Sequence, residues 1–133
     1  MKLKKILLGL ALVISNQLTW ADEVEYSKQY DKCMDNSGGV TVEMLDCIAA
    51  ETKHQDIRLN NAYKNVIGLI PPQRQKQLQE TQRAWIKYRD LNCDFYADPN
   101  SGTSAILNSN SCFLDTTASR VKELEWFKEY YAN

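Results

Sequence analysis

The chain has 133 residues, of which 44% are hydrophobic, and its 16 basic residues nearly balance its 17 acidic residues. No basic patch with interleaved aromatic residues occurs, which argues against nucleic acid as a partner. The length favours a single folded domain.

The N-terminus has the layout of a secretory signal peptide. Three lysines precede an apolar run at residues 6–14, and small residues stand at −3 and −1 if cleavage follows Ala21. The run is roughly half of the ~20 residues that span a bilayer, and the first cysteine, Cys33, is too distant for lipid attachment. We therefore predict a signal peptide at 1–21 and a periplasmic or secreted domain at 22–133, with no membrane anchor after cleavage.

The four cysteines all lie in the exported part of the chain. An even number of cysteines in an oxidising compartment predicts two disulfides. We favour Cys33–Cys47 and Cys93–Cys112, because each bond closes a short loop across a glycine-containing connection and contributes about 3 kcal/mol in the chain-entropy model. The main alternative is a Cys47–Cys93 bond between two helices.

Turn residues divide the exported part into helical segments. A short helix is predicted at about 24–34, followed by a turn at 36–39. Thr41 is the predicted N-cap of a long helix that ends at Gly68 and the Pro-Pro pair after it. Its core-facing residues recur in steps of three and four, as on one face of a helix. They are Leu45, Ile48, Thr52, Leu59, Tyr63, Val66 and Ile70.

A second long helix follows the Pro-Pro connection, and such a short connection makes the two helices antiparallel neighbours. The residues predicted to face the core of this helix are Leu78, Trp85, Tyr88, Asn92 and Tyr96. A loop is expected at 98–102, and a last helix begins at Thr103 or a turn or two later. Its predicted core residues are Ile106, Phe113, Val121, Leu124 and Phe127. The predicted fold class is all-α, a small disulfide-stapled helical bundle with a long antiparallel helix hairpin.

The hairpin register predicts which side chains meet across the two long helices. Counting outward from Pro71 places Asp56 near Trp85 and Thr52 near Arg89. A carboxylate and a guanidinium in these positions would form a partly buried ion pair beside an indole. We interpret this pair as structural, because such pairs fix helix register more reliably than they add stability.

The residue types available argue against catalysis and against a bound cofactor or metal. His54 is the only histidine of the chain, and it is expected on a helix surface rather than as a general base. Oxidised cysteines cannot serve as nucleophiles, and neither Cys-x-x-Cys nor His-Glu-x-x-His occurs. We therefore predict no enzyme, no cofactor and no metal site, and a cell-wall hydrolase that uses His54 or a loop serine is the least favoured hypothesis.

Three blocks of residues show a specific spacing. They read Asp56-x-x-Leu59-Asn60-x-x-Tyr63, then Gln82-Arg83-x-Trp85-x-x-x-Arg89-Asp90-x-x-Cys93, and finally Cys112 with Thr116-x-x-x-Arg120-x-x-x-Leu124. From about residue 33 to residue 124, this pattern resembles the LprI-type lysozyme-inhibitor family of exported bacterial domains. We take its signature residues to be structural, because several of them lie on the predicted buried faces. These residues are Asp56, Leu59, Asn60, Tyr63, Gln82, Trp85, Arg89 and Asp90.

The resemblance implies an exported helical domain with disulfides and, for some members, inhibition of host lysozyme. Lysozyme of the animal type is cationic and its cleft uses two carboxylates. An inhibitor would offer an acidic surface and a loop with a donor that enters the cleft. The exported part has a net charge of −4, and the best candidate for the entering loop is 98–110, with Lys53 or Arg58 as weaker candidates.

An alternative hypothesis is an envelope scaffold or adaptor with a different exported partner. It predicts an exposed apolar patch near the C-terminus. The aromatic residues that would form this patch are Trp126, Phe127, Tyr130 and Tyr131. At helical spacing, the same residues also fit the end of the core.

Overall fold

The computed structural model describes residues 24–133, and the predicted signal peptide at 1–21 lies outside the described residues. The described residues form α-helices and no strand. The helices are α1 (Lys28–Asn36), α2 (Thr41–Leu69), α3 (Pro72–Phe95) and α4 (Thr103–Ala132). α2 and α3 are the two arms of the predicted hairpin and are joined at Pro71, but their backbones approach each other little. α4 packs against both of them, most closely against α2. The predicted all-α bundle is therefore confirmed, and no helix within residues 24–133 is both long and apolar enough to cross a bilayer.

α1 begins later than the sequence predicted. Residues 24–27 precede the helix, and the Ser27 hydroxyl caps it by accepting a hydrogen bond from the Tyr30 N–H at 3.2 Å. The Ser27 N–H donates to the Glu51 carboxylate at 3.0 Å. The backbone before α1 is therefore bound to α2 and does not continue the helix.

The predicted N-cap of α2 is wrong by one residue. Thr41 is the first residue of the helix, and Val40 is its N-cap. The preceding turn explains the difference, because Gly38 and Gly39 have φ angles of 56° and 80°, which glycine adopts without a steric penalty. The Val40 N–H donates to the Ser37 carbonyl at 2.9 Å, so the chain already turns into the helix at Val40.

The connection between α2 and α3 is fixed at both helix ends. Pro71 is the N-cap of α3, and Pro72 is its first residue, a position where proline has no N–H to lose. The side-chain amide of Gln75 donates to the carbonyls of Ile67 and Ile70, each at 3.0 Å. These bonds satisfy carbonyl groups that the end of α2 leaves without a helical partner.

The hydrophobic core lies between α2 and α4, with α3 closing one side. It consists of Leu59, Ala62, Val66, Ile70, Leu78, Val121 and Leu124. Larger, partly buried side chains pack around this cluster, namely Tyr63, Ile67, Trp85, Phe127 and Tyr131. The central positions of the predicted core-facing pattern are thus confirmed.

Some predicted core positions are wrong, because Tyr88, Tyr96 and Ile106 are exposed. The face of α3 that contacts α4 carries Arg89, whereas the predicted pattern placed the neighbouring Tyr88 on this face. The Arg89 guanidinium lies over two aromatic rings at that place, and Tyr88 lies on an exposed side of the helix.

The described cysteines form the two disulfides that the short loops favoured, and the alternative between Cys47 and Cys93 does not occur. Cys33–Cys47 joins α1 to α2 with the Cα atoms 5.7 Å apart, and Cys93–Cys112 joins α3 to α4 with the Cα atoms 5.4 Å apart. The second bond joins the end of α3 to a position well inside α4, which begins at Thr103, and therefore closes a loop that contains the connection between the two helices.

Candidate functional site

Signature residues from α2 and α3 line one groove between the two arms of the hairpin. The groove has a volume of about 620 Å³. The signature residues along it are Asp56, Leu59, Asn60, Tyr63, Gln82 and Arg89. Leu59 is buried beneath it, whereas Asn60 is exposed and Asp56 is half exposed. Part of the signature set therefore faces open space, and part of it lies in the core.

Arg89 is the centre of the contact between α3 and α4. Its guanidinium lies 3.8 Å from the ring centre of Phe113 and 5.0 Å from that of Trp85. Its Nε donates to Asp90 at 3.0 Å, and Asp56 approaches its Nη1 at 4.0 Å. The predicted neighbourhood of Asp56, Arg89 and the indole is present, but the shorter ion pair is the one with Asp90, a residue of the same helix.

A second arginine, Arg120, is buried behind the groove. Its Nε donates to Gln82 at 3.0 Å, its Nη1 bonds to Glu123, and its guanidinium carbon lies 5.9 Å from the centre of the Trp85 ring. Within residues 24–133, the Nη2 atom has no hydrogen-bond partner. The two arginines connect α4 to α3 through polar contacts where a bundle of this size normally uses apolar side chains.

A buried carboxylate holds the segment before α1. Glu51 accepts hydrogen bonds from the Ser27 hydroxyl, the Ser27 N–H and the Gln55 amide, the last at 2.7 Å. Burial by itself would raise the pKa of Glu51, but these hydrogen bonds and the charge of His54 outweigh it and hold the pKa below its usual value. His54 lies half exposed on α2 with its Nδ1 3.5 Å from Glu51, which is the surface position expected of it.

The connection between α3 and α4 is shorter than the predicted loop 98–110, because α4 already begins at Thr103. Asp98 organises the connection by accepting hydrogen bonds from the Asn100 N–H at 2.8 Å and from the Ser101 hydroxyl at 3.1 Å. These bonds lower the pKa of Asp98. Gly102, with φ of 60°, is the N-cap of α4, and no side chain among the described residues caps this end.

The C-terminal aromatic residues divide into two pairs. Phe127 and Tyr131 pack against the core. Trp126 and Tyr130 are more than half exposed and stack with their ring centres 5.4 Å apart. The two predicted roles, the end of the core and an exposed patch, therefore apply to different members of the cluster.

The basic residues proposed as weaker contacts differ in their surroundings. Lys53 is exposed on α2. Arg58 binds both carboxylate oxygens of Glu125 at 3.1 Å and is partly buried. Arg58 therefore joins α2 to α4, and Lys53 is the better placed of the two for an external contact.

The buried polar residues were missed by the sequence analysis. Glu51 and Gln55 follow Ile48 in steps of three and four and continue to Leu59, so they occupy the face that the apolar pattern already defined. Thr52 was assigned to this face because it resembles an apolar residue in size, and its hydroxyl instead donates to the Ile48 carbonyl at 2.8 Å. The helical spacing of Glu51 and Gln55 was therefore the signal that could have identified them as buried. It was not used because both side chains are polar.

The spacing of the signature and the paired cysteines together decide the family. A protein-family profile described as lysozyme inhibitor LprI matches residues 33–124, which is more than half of the chain. The chain belongs to the LprI lysozyme-inhibitor family. No curated protein and no solved structure matches the chain.

The description of the LprI family names lysozyme inhibition, which implies a protein partner. The two disulfides agree with export to an oxidising compartment, where such bonds persist. No group of three or more potential metal ligands occurs within residues 24–133.

Proposed function

We propose that this protein is an exported binding protein, not an enzyme, and that it inhibits lysozyme. The observation that carries the proposal is the match of the LprI family profile to residues 33–124. The charge of the exported part supports it, because a net charge of −4 favours encounter with a cationic enzyme.

The connection between α3 and α4 is the surface that we assign to the contact. Cys93–Cys112 closes the loop that contains it, and the hydrogen bonds of Asp98 hold its interior, so less conformational freedom remains to be lost on binding. Asp94 and Asp98 supply negative charge at this end of the molecule and are exposed.

The N-terminus of α4 supplies the donors. The first N–H groups of an α-helix have no partner within the helix and attract carboxylates. Here the helix starts at Thr103 after an exposed glycine, and no described side chain caps it. We infer that these N–H groups reach a carboxylate in the lysozyme cleft, a role that the Asn100 and Ser101 side chains do not fill because both bind Asp98.

The test is a cell-wall lysis assay in which the oxidised protein is titrated against animal-type lysozyme. Dose-dependent inhibition that disappears after reduction and alkylation is the expected result. Thr103→Pro removes one N–H at a helix position that tolerates proline, and should weaken inhibition by roughly ten-fold, since a hydrogen bond to a charged group is worth about 1.5–3 kcal/mol. Thr103→Ala keeps that N–H and serves as the matched control.

Failure of the wild-type protein to inhibit at tens of micromolar, about three decades above the affinity of a tight inhibitor, would remove the inhibitor assignment. Equal inhibition by Thr103→Pro and Thr103→Ala would leave inhibition in place and exclude the N-terminus of α4 as the contact.

The exposed Trp126–Tyr130 pair favours the second candidate function, an envelope scaffold or adaptor. Stacked, exposed aromatic residues are typical anchors of protein interfaces. Replacing both residues by alanine should leave lysis inhibition unchanged if the contact lies at α4's other end. Loss of inhibition in this variant would instead place the lysozyme contact at the C-terminus.

A further inference from the structure

One face of α3 carries a row of large apolar side chains that no part of the described chain covers. Tyr88 is 60% exposed, Leu91 is 61% exposed and Phe95 is 85% exposed. Ala84, one turn earlier, is exposed as well. Single exposed apolar residues are common on protein surfaces, whereas a contiguous row of them marks a contact surface.

The spacing of this row is that of a helix-pairing seam. From Ala84 to Tyr88, Leu91 and Phe95 the steps are four, three and four residues, the alternation that places a and d positions of a heptad along one line. The opposite face of α3 contacts α4 through Trp85, Arg89 and Cys93. The seam therefore points away from the bundle and is not part of its core.

Two opposite charges flank the seam on the same side, one heptad apart. The a positions of the seam are Tyr88 and Phe95. Lys87 and Asp94 directly precede them, and both are exposed. Seven residues of helix separate them by ~10 Å, which is too far for an ion pair within α3. In two antiparallel copies of the seam, Lys87 of each copy would lie beside Asp94 of the other, and the twofold symmetry would form this pair twice.

We propose that α3 is a self-association surface, on which a second copy of this chain packs its own α3 in antiparallel orientation. The occupant is a second copy because the flanking charges complement themselves under a twofold axis. The antiparallel orientation follows because a parallel pair would bring Lys87 near Asn92 instead of near Asp94. Such an interface is isologous and closes at the dimer.

The proposed seam ends at Asp94 and Phe95, next to the connection between α3 and α4. The inference rests on the exposed row of α3 and its flanking charges, and therefore does not depend on the proposed function. A seam of three helical turns is small compared with stable interfaces, so association should be weak and should depend on concentration in the micromolar range, on the order of 10–100 µM.

Sedimentation equilibrium of the oxidised protein tests the proposal. The wild type should shift from monomer to dimer between about 1 µM and 1 mM. Leu91→Asp, in the middle of the seam, should keep the protein monomeric throughout. Ile57→Asp, which replaces an equally exposed apolar residue on α2, is the matched control and should dimerise as the wild type does.

Charge exchange tests the orientation. Lys87→Asp or Asp94→Lys alone turns two attractive pairs into two repulsive ones and should weaken dimerisation by roughly ten-fold. The double variant, which exchanges both charges, should recover the wild-type dissociation constant to within about three-fold. Circular dichroism confirms that each variant retains the helical fold.

A wild type that stays monomeric at ~1 mM would overturn the proposal. A dimer that persists in Leu91→Asp would overturn it too, because the interface would then lie elsewhere. Dimerisation of the wild type and of Ile57→Asp, without recovery in the charge-exchanged double variant, would refute the antiparallel arrangement.

Discussion

Removal of the Glu51 carboxylate should release the segment before α1 and lower the stability of the whole domain. Glu51 is 3% exposed and accepts the Ser27 N–H at 3.0 Å, the Gln55 amide at 2.7 Å and the Ser27 hydroxyl. In Glu51→Ala these donors lose their shared acceptor. A hydrogen bond to a charged group is worth about 1.5–3 kcal/mol, and a buried donor without a partner costs about 1–3 kcal/mol.

The summed effect is smaller than a simple addition of these bonds, because Ser27 is partly exposed and water can reach it after the substitution. We expect a loss of about 2–4 kcal/mol in the free energy of unfolding. Glu51→Gln keeps the shape of the side chain and should lower the free energy of unfolding by less. Its amide NH₂ group would nevertheless face hydrogen-bond donors that now bind a carboxylate oxygen.

The same carboxylate predicts the pH dependence. The pKa of Glu51 lies below its usual value of 4.5 in the folded protein. A lowered pKa means that the folded state favours the ionised form, so this contribution to stability is present above the unfolded pKa and is lost as the pH falls through the folded value. The stability difference between the wild type and Glu51→Gln should therefore shrink as the pH falls below 4.5.

Urea unfolding followed by circular dichroism, at neutral pH and at several acidic values, measures both effects. Glu43→Gln, in the exposed first turn of α2, is the matched control for loss of a negative charge. A cost below about 1 kcal/mol for Glu51→Ala would show that the network adds little to stability. If the difference in the free energy of unfolding between the wild type and Glu51→Gln stays constant down to acidic pH, the pH dependence does not come from this residue.

Two further substitutions test the other polar and covalent links. Arg89→Lys should lower the free energy of unfolding by about 1–2 kcal/mol, because an ammonium cannot stack on both rings as a guanidinium does, and Trp fluorescence during unfolding will report it. Joint replacement of Cys93 and Cys112 by alanine should cost about 3 kcal/mol through the entropy of the opened loop. An unchanged urea midpoint in either variant would contradict the corresponding argument.

The architecture could be predicted from the sequence because local features of the chain determine it. The Pro-Pro pair and the glycine turns can only be breaks between helices, and steps of three and four residues identify the faces that carry Leu59, Val66 and Leu124. The disulfide pairing followed from loop length, since both bonds join segments that are adjacent along the chain.

The errors have a common physical cause, namely that a side chain's polarity does not determine its burial. Tyr88 was assigned to the core, whereas Arg89 was predicted only as a partly buried ion-pair partner; its guanidinium is in fact accommodated between two aromatic rings. Glu51 and Gln55 were overlooked for the same reason, because their hydrogen-bond partners come from a segment 24 and 30 residues away along the chain. A periodic pattern contains no information about such partners.

The family signature and the proposed contact surfaces lie on different parts of the molecule. Signature residues such as Trp85 and Arg89 hold α3 against α4, and therefore set the direction in which the rest of α3 points. That direction exposes Leu91 and Phe95, which the signature does not contain, and carries Cys93 to the base of the connection beyond α3. We interpret the signature as the framework of the domain. On that interpretation, variation at the free face of α3 and in that connection would change the partner without changing the fold.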